Sequence, residues 1–252
     1  AIGLLPSTAY NSSSKFNKSA ARGLLARIYL YKGDNTNAFN TAKQVVGDSQ
    51  YSLTSNANYM SDWDGTLSST EALLQLPAFS DDNNGFDSLG SIYIPGIPGG
   101  DDGNGGYGDL VPTTDLKNLY TATDVRRGWL RSIGGVEYNY KFPNSFTNYI
   151  PLIRLSEMYL IKAEAQVNAN NLSGAASTLK ELRDARFGSS TALDSYTSQT
   201  DAYDAVLKER RLELAFEGHR YLDIKRFKNR LNSGINRDAL DCASGGNCVM
   251  LP

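Results

Sequence analysis

Residues 152–186 read LIRLSEMYLIKAEAQVNANNLSGAASTLKELRDAR, and their spacing decides the architecture. Placing Ala163 on Ala26 puts Val167 on Leu30, Asn171 on Asp34 and Ala175 on Ala38. Each copy sets a small residue on one helix and a small residue opening the next 12 positions apart. Small residues at such points let two antiparallel helices approach closely, the basis of tetratricopeptide-like hairpins. The earlier copy predicts a helix from Lys18, with Ala21, Leu24, Leu25, Ile28 and Leu30-Tyr31 on one stripe. It ends at Gly33-Asp34-Asn35, and the next helix turns Ala38, Ala42, Val45 and Val46 inward. The copies lie far apart in the chain, so the pattern is a helical scaffold with a large insertion rather than a regular solenoid.

Around these hairpins, at 17–48 and 152–187, the chain changes character. The first 16 residues are polar and read as a linker or arm. Glu71–Phe79 reads as a short buried strand. Val136, Tyr138, Tyr140 and Phe142 alternate with Glu137, Asn139 and Lys141, the period of a half-buried strand. A third helical stretch runs from Asp201 to about Arg230, with Val206, Leu207, Leu212, Leu214 and Phe216 on its apolar side and Gly218 punctuating it. From Ser80 to Pro112 no period is visible, and a loop of that length is usually a binding element or disordered. The fold class is therefore mainly α, with helical hairpins, a long irregular loop insertion and a few short strands, read as one domain over residues 1–252.

The bulk composition excludes several functions. The chain has 252 residues, 25 basic against 27 acidic, a net charge of −2, and 15 tyrosines. Nothing in that balance favours nucleic acid or anionic lipid. No run of 18 apolar residues exists to span a bilayer. The N-terminus, Ala1-Ile2-Gly3-Leu4-Leu5-Pro6, does not read as a signal peptide, and no nearby Cys offers lipid attachment. Cys242 and Cys248 flank five flexible residues and can close a disulfide in an oxidising compartment or stay as thiols; compartment tips the reading towards the disulfide.

Glu209-Arg210-Arg211-Leu212-Glu213 through Glu217-Gly218-His219-Arg220 and on to Asp223-Ile224-Lys225-Arg226 is the most charged segment. Glu209, Glu213 and Glu217 stand at i, i+4 and repel unless cations intervene, which Arg210 and Arg220 can supply. Guanidiniums beside a carboxyl lower its pKa, so these glutamates read as a structural network rather than a glycosidase acid and base. No catalytic residues are assigned.

The run ERRLELAFEGHRYLDIKRF closely resembles the C-terminal signature of the SusD/RagB family, with Ile224 in place of the usual Leu. Ile153–Ala165 resembles the family's preceding helix, Ala20–Tyr31 an earlier one, and Pro112-Thr113 through Asp124-Val125-Arg126 the stretch between them. Four matches in the family's order cover most of the chain. The resemblance implies a non-catalytic lipoprotein at the outer-membrane surface that captures oligosaccharide or another nutrient for a SusC-like TonB-dependent transporter. It also implies that the family's N-terminal part, with its lipid anchor and first hairpin, is absent from this sequence. RagB-like relatives are associated with peptides, so a peptide ligand is the alternative. A tetratricopeptide scaffold binding a partner protein, and a glycoside hydrolase using Asp101 and Glu137, are further rivals.

Sugars pack their C–H faces on flat rings and pair their hydroxyls with polar side chains. The candidate ligand residues are accordingly Trp129, Tyr93, Tyr107, Phe86, Asp101, Asp102 and Trp63. Both tryptophans have a second reading as packing against the scaffold. That reading is preferred for Trp63, between Asp62 and Asp64, whereas Gly128 and polar neighbours leave Trp129 open. Asp81-Asp82-Asn83-Asn84-Gly85 and Asp101-Asp102-Gly103-Asn104-Gly105 carry oxygen ligands suited to calcium. Neither has EF-hand spacing, so they read as solvated turns, with no metal or cofactor assigned. The nucleophile elbow, the P-loop and the H-E-x-x-H pattern are missing, and there is one histidine.

Overall fold

The computed structural model describes residues 2–7, 14–63, 69–96, 106–143 and 146–227. Asp101, Asp102, Cys242 and Cys248 lie outside them.

Two helical hairpins form the frame. Helix α1 (Lys18–Lys32) and α2 (Asn35–Val46) make the first; the second is made by helices Leu155–Asn168 and Leu172–Phe187. Their equivalence reaches the caps. Asp34 and Asn171, the aligned pair, each accept a backbone N–H three residues on, from Asn37 and Gly174, and so N-cap the second helix of each hairpin. The residue before each cap, Gly33 (φ 76°) or Asn170 (φ 58°), is left-handed, a conformation that glycine and asparagine tolerate best. Ala26, Leu30, Ala38, Ala163, Val167 and Ala175 are all buried. The spacing read from sequence is thus a real repeat.

The predicted stripe on α1 is corrected. Leu24 and Ile28 face outward, and the close-packed side is Ala20, Gly23, Ala26 and Leu30. A Cβ on Gly23 would meet Ile153 Cγ2 at 2.7 Å, so the neighbouring strand lies where only hydrogen fits. Close approach took precedence over bulk.

Between the hairpins, β1 (Ala72–Leu76) is the expected buried strand, with Ala72 to Gln75 inside and Leu76 exposed. The short helices α3 (Leu89–Tyr93) and α4 (Thr114–Lys117) follow. Helix α3 sits inside the stretch read as loop. Ser88 caps it by accepting the Ser91 N–H, a local signal too short to show a period. A 3₁₀ turn at Val125–Trp129 leads into β2 (Leu130–Ile133), which pairs antiparallel with β3 (Val136–Asn139). Gly134 and Gly135, at φ 58° and 85°, form the two-residue turn, whose primed geometry matches strand twist. Strand β4 (Ile150–Arg154) pairs antiparallel with β1, so residues 152–154 precede the second hairpin as strand.

The half-buried alternation expected for residues 136–142 is not observed. Asn139, Tyr140, Lys141 and Phe142 are all buried, Lys141 completely, because the chain leaves the sheet at Tyr140 and enters the core.

Helix α5 (Leu155–Asn168) is central and packs against α1, α2, α6 (Leu172–Phe187) and α7 (Gln199–Glu213). The core cluster joins Ala20, Leu30, Ala42, Leu73, Ile153, Met158 and Ile161 across α1, α2, β1, β4 and α5. By its contacts the chain divides into two compact units, 1–213 and 214–252. Only Leu214–Phe227 of the second is described. It opens with left-handed residues at Phe216 (φ 64°) and Gly218 (φ 81°), then forms α8 (Arg220–Arg226), where Arg226 pairs with Asp223 at 2.7 Å. The helical stretch expected across 201–230 is therefore interrupted after Glu213. No described helix is long and apolar enough to cross a membrane.

Candidate ligand-binding site

Two sets of residues could carry chemistry: a buried charge network and an exposed group of aromatic rings. The network centres on the carboxylate of Glu213, which is fully buried at the end of α7. Oε1 accepts from Arg154 Nη1 at 2.6 Å and from Arg186 Nη2 at 2.8 Å. Oε2 accepts from Arg126 Nη1 at 2.9 Å and from Arg186 Nε at 3.0 Å. Its backbone carbonyl accepts from Arg154 Nη2 and from Lys141 Nζ, at 2.6 and 3.0 Å. Glu209, one turn earlier, receives Arg126 and Arg183, each at 2.7 Å. Asp124 grips Arg126 through both oxygens, and Glu71 receives Arg186 at 2.7 Å. Four buried cations (Arg126, Lys141, Arg154, Arg186) thus stand against four buried carboxylates (Glu71, Asp124, Glu209, Glu213).

Their protonation follows from that balance. Burial alone would raise the Glu213 carboxyl, but Arg186, Arg154 and Arg126 outweigh it and hold it well below the ordinary carboxylate range. At Glu209 burial acts in the same direction, and Arg126 with Arg183 again lowers the value. Such groups stay ionised at neutral pH and have no proton to give. The cations differ from those expected from sequence. Arg210 lies instead 3.9 Å from Glu164, while the partners of Glu209 and Glu213 come from the 3₁₀ turn, β4 and α6. Helical neighbours on one face were the only partners that spacing could offer.

This network overturns the reading of Trp129 as a ligand platform. Trp129 is fully buried, edge-on to Tyr120 at 5.2 Å between ring centroids. Arg126, three residues earlier on the same 3₁₀ turn, is drawn inward by its three carboxylate partners and takes the tryptophan with it. The polar surroundings that suggested a surface loop are ion pairs inside the protein. Trp63 is buried too, edge-on to Phe142 at 5.8 Å. Lys141 Nζ lies 4.5 Å from the Trp63 ring centroid and 5.5 Å from that of Trp129. Both indoles therefore offer a face to a cation of the protein itself.

The loop aromatics behave differently. Phe86 and Tyr107 are 54% and 57% exposed, and their ring centroids lie 6.1 Å apart. Phe146, from a separate segment, meets Phe86 edge-on at 5.2 Å. Sequence reading did not single out Phe146, a lone aromatic in a polar stretch. Phe79, half exposed, and Tyr149 form a second edge-on pair at 6.1 Å. Tyr93 has one face stacked on Phe142, at 6.2 Å and 20°, so it anchors α3 to the core. Its partial burial raises the phenol pKa.

Within this group, the segment that carries Tyr107 is held in place by backbone. Tyr107 N–H donates to Ser91 O at 2.6 Å, and Pro95 bridges to Gly106 and Tyr107. A Cβ on Gly106 would sit 2.0 Å from Ser91 O, and one on left-handed Gly108 would sit 2.7 Å from Pro95 Cα. Two glycines thus let the segment bearing Tyr107 lie directly on α3. The acidic turn at Asp81–Gly85 is closed by its own hydrogen bonds, from Asn83 Nδ2 to Phe79 O and from Gly85 N to Asn83 Oδ1, each at 2.8 Å.

Comparison with known proteins places this arrangement. A family model described as the SusD family matches residues 137–239. A SusD-like protein P2 from Formosa agariphila is 28% identical over 89% of this chain and 53% of its own length. A SusD superfamily protein from Bacteroides vulgatus superposes with a TM-score of 0.72 at 30% identity, over 89% of this chain and 52% of that one. A candidate sugar-binding protein from the same species gives 0.76 at 29%, over 89% and 50%. The chain spans about half the length of these relatives. Asp124, Arg126, Arg154, Glu209 and Glu213 all lie in the sequence motifs that carried the resemblance, and in space they form one network. Shared motifs, their common role in the core and the shared fold agree: residues 137–239 match the SusD family model, and the chain is similar to SusD superfamily proteins over 89% of its length.

Proposed function

We propose that this chain binds a glycan without altering it, and that Phe86, Tyr107 and Phe146 form the platform on which a sugar ring rests. The observation that carries this reading is the contrast in exposure. Phe86 and Tyr107 stand open with Phe146 half-buried beside them, while the candidate acids on α7 are buried and fixed by arginines. Exposed rings held by backbone stack on sugar C–H faces at little ordering cost. Asp101 and Asp102 remain proposed hydroxyl partners. Glu137, offered for a hydrolase, is paired with Arg127 at 3.0 Å and with Lys117 at 3.4 Å, which supports binding over turnover. A relative described as a candidate sugar-binding protein supports the ligand class. By family relationship, the bound glycan is passed at the outer-membrane surface to a SusC-like TonB-dependent transporter.

Affinity electrophoresis against a polysaccharide panel, with product analysis of the same incubations, tests this reading. Phe86→Ala/Tyr107→Ala is expected to weaken binding about tenfold, from roughly 0.5–1.5 kcal/mol per lost ring contact, with thermal stability unchanged. Unchanged affinity in that variant, or released sugar, would remove the proposal.

A further inference from the structure

The platform has an unusual electrostatic setting. No lysine or arginine occurs between Lys43 and Lys117, a stretch that holds eleven acidic residues. Within it, Asp81, Asp82, Asp87 and Asp109 are exposed, and Asp87 and Asp109 lie one and two residues from Phe86 and Tyr107. The third ring brings no relief, because residues 143–149 around Phe146 contain no charged side chain. The nearest base in sequence on that side, Lys141, is fully buried and donates to Glu213 O. The four aspartates have no arginine or lysine ion pair among the described residues, unlike the carboxylates of the core. Exposed carboxylates beside an uncharged aromatic surface create a negative potential that reaches about one Debye length, roughly 8–10 Å. That range covers the sugar resting on the rings and the next one along.

We propose that this acidic rim is a charge filter that makes the platform selective for neutral glycans over uronate-bearing or sulfated ones. It rests on the platform reading above and adds the ligand's charge class. A neutral sugar loses nothing to the rim, whereas each carboxylate or sulfate of a polyanion meets several like charges in a solvent that only partly screens them. Summed over the aspartates within that range of the ligand, the discrimination is about tenfold at low ionic strength and fades with added salt.

The test measures binding of the full chain to laminarin, dextran and xylan beside alginate, polygalacturonate and dextran sulfate. EDTA is present throughout to prevent bridging by divalent cations, and the series is run at low and moderate salt. Neutral polymers are expected to bind with little salt dependence. Polyanions are expected to bind at least tenfold more weakly at low salt, with the gap narrowing as salt rises. Asp81→Asn/Asp82→Asn/Asp87→Asn/Asp109→Asn should close the gap at low salt and leave neutral binding as it was. The salt series reads the same effect on the unaltered protein, independently of how the variant folds. Polyanions held as tightly as neutral polymers, in a manner lost in Phe86→Ala/Tyr107→Ala, would overturn the filter and leave the platform standing. Binding that survives the loss of both rings, or capture of nothing in the panel, would overturn the platform and the filter with it.

Discussion

The core around Glu213 and the rim around Phe86 use similar residue types in opposite ways. In the core, carboxylates are matched one for one by buried cations and tryptophan faces are taken by Lys141. At the rim, Asp81, Asp82, Asp87 and Asp109 have no such partners among the described residues, and Phe86 and Tyr107 are exposed. A buried charge without a partner is heavily penalised, so the core must be saturated. An exposed one is solvated and remains available to whatever approaches. Aromatic and acidic composition therefore does not locate a binding site; the state of pairing and exposure does.

The sharpest way to break this contrast is Glu213→Ala, which leaves parts of three buried guanidiniums without their shared carboxylate. A loss of about 3–5 kcal/mol in urea unfolding is expected, enough to threaten folding outright. A change below 1 kcal/mol would show that the network does not hold the helices. Acid provides a graded version of the same test. Glu209 and Glu213 have depressed folded-state pKa values, so between those values and the ordinary carboxylate value near 4.5 the unfolded chain binds more protons. Their contribution is complete above that ordinary value and is lost as pH falls through the folded ones. Stability followed by circular dichroism should be flat in this respect above about pH 5.5 and decline below about 4.5. A decline beginning near neutrality would point to other groups.

The smallest effect belongs at the rim. Gly106→Ala must displace Ser91 or the Tyr107 segment, at roughly 1–3 kcal/mol of local strain. Glycan affinity should fall with Tyr107 out of position while the global unfolding transition moves little. Equal losses in both would mean that the rim is as much a part of the folding unit as the core.

How much was legible beforehand follows the same division. The hairpin spacing and the strand at Ala72–Leu76 could be read because each has a local signature. Trp129 stays open in the sequence because polar neighbours look alike there whether water or buried ion pairs surround them. Phe146 was missed because its link to Phe86 spans 60 residues with no period to reveal it.

By itself the sequence determined the helical frame, since periodicity, small-residue spacing and capping act within a few turns of chain. It also placed a charged cluster on α7 that was more suited to structure than to catalysis. Only the tertiary structure decided which cations answer those glutamates, which tryptophans go inside, and which three rings meet at the surface. Those outcomes depend on contacts between distant segments, and whether a polar or aromatic group faces water or protein is fixed when the segments come together.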